Sequence, residues 1–141
     1  MINLILLAII LGSGSSTAAA DGGISVTVTV TGTQPSGRVL AEVFADAESF
    51  KTGKDSALRF AIDPKGTAGA QTTISLPPGR YMIAMFQDTK GTGNIEKNFL
   101  GKPTVPYGFS NNATGRMGPP EFDAAAFDVG SKPVSLAIQL R

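Results

Sequence analysis

Polar and apolar side chains alternate with a period of two along much of this 141-residue chain, and this pattern restricts its possible folds more than any other feature. Between Ile24 and Thr31, four branched apolar residues alternate with one serine and three threonines. Because successive side chains of a β-strand point to opposite faces, this segment predicts a strand with one buried and one solvated face. Related patterns bounded by turn residues predict six more strands, at 38–45, 58–62, 71–76, 81–86, 126–129 and 134–140.

The predicted strand at 81–86 differs from the others because its sequence, YMIAMF, is apolar on both faces. Two apolar faces predict a central strand that is covered on both sides. The Pro77-Pro78-Gly79 segment before it predicts a tight turn. In such a turn, proline sets φ of the first central residue and glycine adopts the positive φ of the second.

Taken together, the strand pattern favours an all-β fold. The chain has 17 glycines and 9 prolines to supply turns, and no segment shows a convincing amphipathic helix. Residues 46–55 could form one helical turn at most. We therefore expect a single Ig-like or transthyretin-like β-sandwich of about seven strands, with a small closed barrel as the alternative.

One long connection, residues 88–124, does not fit a plain sandwich. Structureless connections longer than about 15 residues are uncommon in compact domains. This one contains four of the ten aromatic residues of the chain, together with six glycines and four prolines. Since disordered segments are poor in aromatic residues, we expect an ordered loop that packs over one end or edge of the sandwich.

The N-terminus has the pattern of a secretory signal peptide. Residues 4–11 form an unbroken apolar run of eight, followed by small polar residues and Ala18-Ala19-Ala20. A helix needs about 20 apolar residues to cross a bilayer, so this run is too short to span it. We expect a signal peptide at 1–20, a domain at 21–141 that does not span the membrane after cleavage, and a periplasmic or secreted location. The alternative is a buried N-terminal strand.

Composition excludes several classes of function. The chain has no cysteine and no histidine, which removes disulfides, thiolate zinc sites, cysteine nucleophiles and Ser-His-Asp triads. With a net charge of +1, the chain lacks the excess of positive charge that is typical of nucleic-acid-binding proteins. Carboxylates remain as possible catalysts. A carboxylate-based hydrolase acting on glycans needs a pair of carboxylates. The candidates here are Glu121, Asp123 and Asp128, which lie close together in the sequence.

Five sequence blocks carry a resemblance to a known family. They are LPPGRY at 76–81, FQD at 86–88, NFLGKP at 98–103, YGFSNN at 107–112 and GPPEF at 118–122. With these blocks, nearly the whole of residues 21–141 resembles the DUF2141 family of exported bacterial proteins of uncharacterised function. The resemblance implies export and a β-sandwich, but it implies no activity.

In that family, the residues after the central strand look like D-x-N-x-N-G-x-x-D, a pattern similar to a calcium loop. Here Asp88, Thr92 and Glu96 match the ligand positions, and Gly93 matches the turn glycine. Lys90 departs from the pattern, since its ammonium replaces an oxygen ligand, so calcium is possible but disfavoured. We expect either that the Lys90 ammonium lies near the two carboxylates in place of the cation, or that it is a solvated turn lysine.

The segment 107–112 holds the candidate binding residues Tyr107, Phe109, Ser110, Asn111 and Asn112. Aromatic rings beside amides and a hydroxyl can stack on sugars or clamp an extended peptide. Alternatively, the rings anchor the loop and the amides satisfy turn backbone groups. The sequence thus favours an exported, non-catalytic module that binds an envelope or extracellular partner or a glycan through the 88–124 loop. A glycan-acting hydrolase and a purely structural envelope protein remain alternatives.

Overall fold

The computed structural model of the protein describes residues 23–64, 69–93 and 103–141. The predicted signal peptide at 1–20 lies outside these residues. The elements along the chain are β1 (Ile24–Thr31), β2 (Arg38–Phe44), α1 (Ala47–Thr52), β3 (Leu58–Ile62), β4 (Ala70–Leu76), β5 (Gly79–Asp88), β6 (Tyr107–Phe109), a 3-10 turn (Ser110–Asn112), α2 (Phe122–Ala125), β7 (Phe127–Val129) and β8 (Val134–Gln139). In this part of the chain, no helix is long and apolar enough to cross a bilayer.

The strands form two sheets. In the first, with the order β4-β1-β8, β1 is antiparallel to β4 and parallel to β8. In the second, with the order β3-β2-β5-β6, all neighbours are antiparallel, and β7 also pairs with β5. The expected all-β, sandwich-like fold is confirmed, and each of the seven predicted strands is present within two residues of its expected ends. The described residues add an eighth strand, β6, inside the predicted loop.

The main core draws on both sheets. Val26, Val28 and Val30 of β1 are fully buried and contribute to one cluster with the fully buried Val43 of β2 and Ile83 of β5. The threonines of β1 alternate with these valines and are half-buried or exposed, as the period of two predicts. Burying one such side chain stabilises the fold by about 1.5–3 kcal/mol, so the two sheets are held face to face mainly by this cluster.

A second apolar cluster covers the outer face of the second sheet. Met82 of β5 is fully buried there, together with Phe44 of β2 and Phe122 of α2. Phe50 of α1 and Phe109 of β6 pack against them and are partly buried. The prediction that both faces of β5 are covered is therefore confirmed, because one face meets the main core and the other meets the two short helices and the ring of Phe109.

The turn between β4 and β5 differs from the prediction in one respect. Gly79 does not adopt a positive φ but begins β5, where it pairs with Val129 in an extended conformation. A Cβ on Gly79 would lie only 3.1 Å from the hydroxyl oxygen of Tyr81. That hydroxyl donates a hydrogen bond of 2.7 Å to the carbonyl of Pro77. A side chain at position 79 would therefore crowd the tyrosine ring, whereas the backbone conformation there does not call for glycine.

Gln87, near the end of β5, is a fully buried polar side chain that ties separate segments together. Its Nε2 donates to the carbonyls of Gln34, Ser36 and Gly37 at 2.8–3.1 Å, and its Oε1 accepts from the N–H of Gln34 at 2.6 Å. Its backbone N–H donates to the carbonyl of Pro106 at 2.8 Å. Gln87 therefore holds both the β1–β2 connection and the chain that leads into β6.

Candidate functional site

The two sheets meet at one corner, where β6 of the second sheet touches the end of the chain after β8. The N–H of Tyr107 donates to the carbonyl of Arg141 at 3.1 Å, and the N–H of Arg141 donates to the carbonyl of Tyr107 at 3.0 Å. Gly108 follows Tyr107 and also lies close to the end of the chain. A Cβ added to it would lie 2.9 Å from the carbonyl oxygen of Gln139 and 3.1 Å from a methyl carbon of Ile138. This approach leaves no room for a side chain at position 108.

Ser110 follows β6 directly and is fully buried. Its Oγ accepts a hydrogen bond of 2.9 Å from the N–H of Ile83 and donates one of 2.6 Å to the carbonyl of Ala125. One hydroxyl thus satisfies a buried donor of β5 and a buried acceptor of α2. Although the sequence made Ser110 a candidate ligand contact, its burial makes it an anchor of the corner.

Asn111 and Asn112 both have left-handed backbone conformations, with φ of 61° and 50°. Asparagine tolerates this region better than most residues do. The Asn111 Nδ2 donates to the carbonyl of Ala126 at 2.8 Å, and the Asn112 Oδ1 accepts from the N–H of Gln139 at 2.9 Å. These bonds correspond to the alternative reading of the segment, in which the amides satisfy backbone groups.

The two aromatic candidates lie on the same side of β6 and differ in their surroundings. Their rings meet edge to face with centroids 6.0 Å apart. Phe109 also lies 6.2 Å from Phe50 and belongs to the outer apolar cluster. Tyr107 is partly exposed and is not among the residues packed into that cluster. Of the two rings, that of Tyr107 is therefore the one left outside the apolar cluster, where a ligand can contact it.

A small cleft of about 70 Å³ lies at this corner. The edge of β6 and the segment 112–118 form its walls, and the end of the chain contributes Gln139 and Arg141. Tyr107 and Phe109 supply aromatic surface, while Asn112 and Thr114 supply polar groups. The structure thus brings three of the five sequence candidates, Tyr107, Phe109 and Asn112, to one concave surface.

The carboxylates proposed for a hydrolase lie elsewhere. Arg80 is 3.4 Å from Asp123 and 3.5 Å from Asp128, and both carboxylate side chains are strongly exposed, at 86% and 79%. Glu121 is also exposed and makes no side-chain cap to α2. No described aspartate or glutamate side chain lines the cleft. Asp123 and Asp128 thus both lie at the Arg80 guanidinium on the exposed surface, and neither they nor Glu121 line the cleft.

In the calcium-like loop, both oxygens of Asp88 accept backbone hydrogen bonds. Oδ1 accepts from the N–H of Thr92 at 3.0 Å, and Oδ2 accepts from the N–H of Gly93 at 2.8 Å. Lys90 is exposed and makes no ion pair with a described carboxylate. Glu96 lies outside the described residues, so the expected cluster around Lys90 stays a prediction. The described ranges contain no group of three or more acidic side chains placed to hold a metal.

Several residues that line the cleft could not be recognised as site residues from the sequence. Gln139 and Arg141 belong to the end of the chain, about 30 residues after the YGFSNN block, and nothing in the local pattern shows that this end lies beside β6. Thr114 and Gly115 lie in an irregular segment without periodicity. Only the sheet arrangement brings these residues next to Tyr107.

Comparison with known proteins gives one match. The model of a family described as "uncharacterized protein conserved in bacteria", DUF2141, matches residues 28–137. This range includes β2 to β7, half of β1, most of β8 and most residues of the corner, and it confirms the resemblance drawn from the sequence blocks. Neither the curated proteins nor the solved structures yield a match.

Proposed function

The chain belongs to the DUF2141 family of bacterial proteins, and we propose that it is an exported, non-catalytic module that binds a glycan of the envelope or cell exterior at the corner cleft. The observation that carries the proposal is the partly exposed ring of Tyr107 in a cleft that Asn112 and Thr114 also line. Sugars present an apolar C–H face and a rim of hydroxyls, so they suit a ring that lies next to amide and hydroxyl groups.

The support for a binding surface comes from how firmly the corner is held. Side-chain hydrogen bonds connect this corner to backbone groups of three other segments, and they come from Ser110, Asn111 and Asn112. These bonds hold the segment that follows Tyr107, and two backbone bonds to Arg141 hold the backbone of Tyr107 itself. A preorganised surface loses less conformational entropy on binding, which favours affinity from few contacts.

The size of the cleft limits what it can enclose. Pockets for whole small molecules occupy roughly 300–1,000 Å³. The cleft here has about 70 Å³, enough for a single substituent or one edge of a sugar ring. We therefore expect a longer glycan to lie across the surface with one residue engaged, and we expect weak binding per site.

A glycan array probed with the purified protein and with the variant Tyr107→Ala tests the proposal. The matched control is Phe60→Ala, which removes another partly buried ring from β3, at the opposite edge of the same sheet. We expect the parent and Phe60→Ala to retain the same glycans and Tyr107→Ala to lose them. Equal retention by all three folded proteins, or no retention by the parent, would reject the proposal.

Export is tested separately by N-terminal sequencing of the protein after fractionation of the bacterial cells that produce it. We expect a chain that begins at Asp21 in the periplasmic or secreted fraction. A protein that keeps Met1 and stays with the cytosolic fraction would contradict the predicted signal peptide, whatever the outcome of the array.

A further inference from the structure

We propose that Met117 is an oxidation site, at which a peroxide converts the thioether to a sulfoxide before it oxidises the methionines of the core. The inference goes beyond the proposed function and does not depend on it. It concerns a side chain that belongs to neither apolar cluster and lies in the segment between the 3-10 turn and α2.

The first argument is the exposure of the methionine side chains. Met117 is 98% exposed, and it is the one exposed large apolar side chain among the described residues. Met82 and Met85 of β5, the core pair, are 0% and 3% exposed. The fourth methionine, Met1, lies outside the described residues. Because a peroxide must touch the sulfur atom to react, the fold leaves Met117 accessible and shields the core pair.

The second argument is that the backbone fixes this exposure. A Cβ on Gly115 would collide with the carbonyl oxygens of Gly118 and Pro119, so the chain doubles back on itself around Met117. Gly118 has a φ of 146°, a conformation that favours glycine. Pro120 follows this turn and is buried, which ties the end of the turn to the fold. The tight turn therefore holds Met117 away from the apolar clusters.

The third argument is the effect of the product. A sulfoxide is polar, and a polar group without a hydrogen-bond partner is costly in an apolar core. In the core pair, the new oxygen would lie inside the apolar clusters. At Met117 it would lie in water, so we expect the fold to be unchanged. The protein thus consumes one equivalent of peroxide at Met117 before oxidation damages the core.

The reaction needs only the thioether and the peroxide. The sulfur lone pair attacks one oxygen of hydrogen peroxide, and a sulfur–oxygen bond forms while the oxygen–oxygen bond breaks. The transferred oxygen gives its proton to the departing hydroxide, which leaves as water. Sulfur loses two electrons and the peroxide gains two, so no further reactant is required.

The test is limited treatment of the purified protein with hydrogen peroxide, followed by digestion with trypsin and mass spectrometry. Trypsin cleaves after Arg80, Lys90 and Arg116, so Met117 and the core pair fall in different peptides. Buried groups react only in rare opened states, so we expect Met117 to oxidise at least about tenfold faster than the core pair in the folded protein. In urea that unfolds the chain, the rates should converge.

Two outcomes of this experiment would overturn the proposal. Equal rates in the folded protein would show that the fold does not direct the peroxide to Met117. A difference that persists in urea would assign the selectivity to the local sequence instead of the fold.

Two variants and one further measurement complete the test. Met117→Leu should abolish the fast reaction, whereas the matched control Met85→Leu should retain it. Both changes replace methionine by a residue of similar volume, which cores tolerate. Protein oxidised only at Met117 should keep the melting temperature of the untreated protein. A fast reaction in Met117→Leu, or a melting temperature lowered by the first equivalent of peroxide, would contradict the assignment. The result of the glycan array has no bearing on these outcomes.

Discussion

Replacing Ser110 by alanine should destabilise the protein by about 2–6 kcal/mol, although it removes only one oxygen atom. The Ser110 Oγ is bonded to the N–H of Ile83 and to the carbonyl of Ala125, and these residues, like Ser110 itself, are essentially fully buried. Alanine fits the same space but leaves both backbone groups without a partner. Each unsatisfied buried group costs about 1–3 kcal/mol, which gives the total.

The assay is urea denaturation of the parent, Ser110→Ala and the control Ser135→Ala. Ser135 is exposed in β8, so the same chemical change there should stay within about 0.5 kcal/mol. We expect a lower midpoint for Ser110→Ala with an unchanged slope. The amide of Ile83 should also exchange faster with deuterated solvent. A difference below about 1 kcal/mol between the two variants would show that Ser110 does not anchor the corner.

Three further predictions concern other parts of the fold. Gly108→Ala should lower the free energy of unfolding by about 1–3 kcal/mol and weaken glycan binding, because its methyl group must displace the chain at Gln139. Thermal denaturation measures the first effect and the glycan array measures the second. An unchanged melting temperature would contradict the close approach of Gly108 to Gln139. Gln87→Leu should cost about 1–3 kcal/mol and speed amide exchange at Gln34, whereas unchanged exchange there would argue against the side-chain lock. Burial raises the pKa of Tyr81 above its usual 10.0, so ionisation is easier in the unfolded chain. Stability should therefore fall as the pH rises through about 10, and Tyr81→Phe should flatten this dependence; an equal fall in both proteins would assign it to other groups.

Most strands were predictable because strand periodicity is a local property. In β1, branched apolar residues alternate with serine or threonine over all eight residues, and only one register buries all the valines. The two apolar faces of β5 likewise predicted cover on both sides. The exception is β6. Its three residues, Tyr107–Phe109, are too few to show a period, and they form a strand because they pair with Ala84, Met85 and Phe86 of β5.

The sequence predicted which residue types gather at the candidate site, but it did not predict what each side chain does there. The cluster of rings, amides and a hydroxyl at 107–112 is visible in the sequence, and the structure places the whole segment at one corner. Ser110 and Tyr107 are three residues apart, yet one is fully buried and the other is partly exposed. That difference depends on the backbone groups of Ile83 and Ala125, which belong to other elements.

The order of residues alone predicted seven of the eight described strands and the family to which the chain belongs, because alternation and block similarity are visible in neighbouring positions. It could not show which strands become neighbours. The parallel pairing of β1 with β8 joins segments more than 100 residues apart, and the contact of Tyr107 with Arg141 follows from it. Such pairings depend on how two sheets share one core, so the cleft and its arginine emerge only when the whole chain is packed.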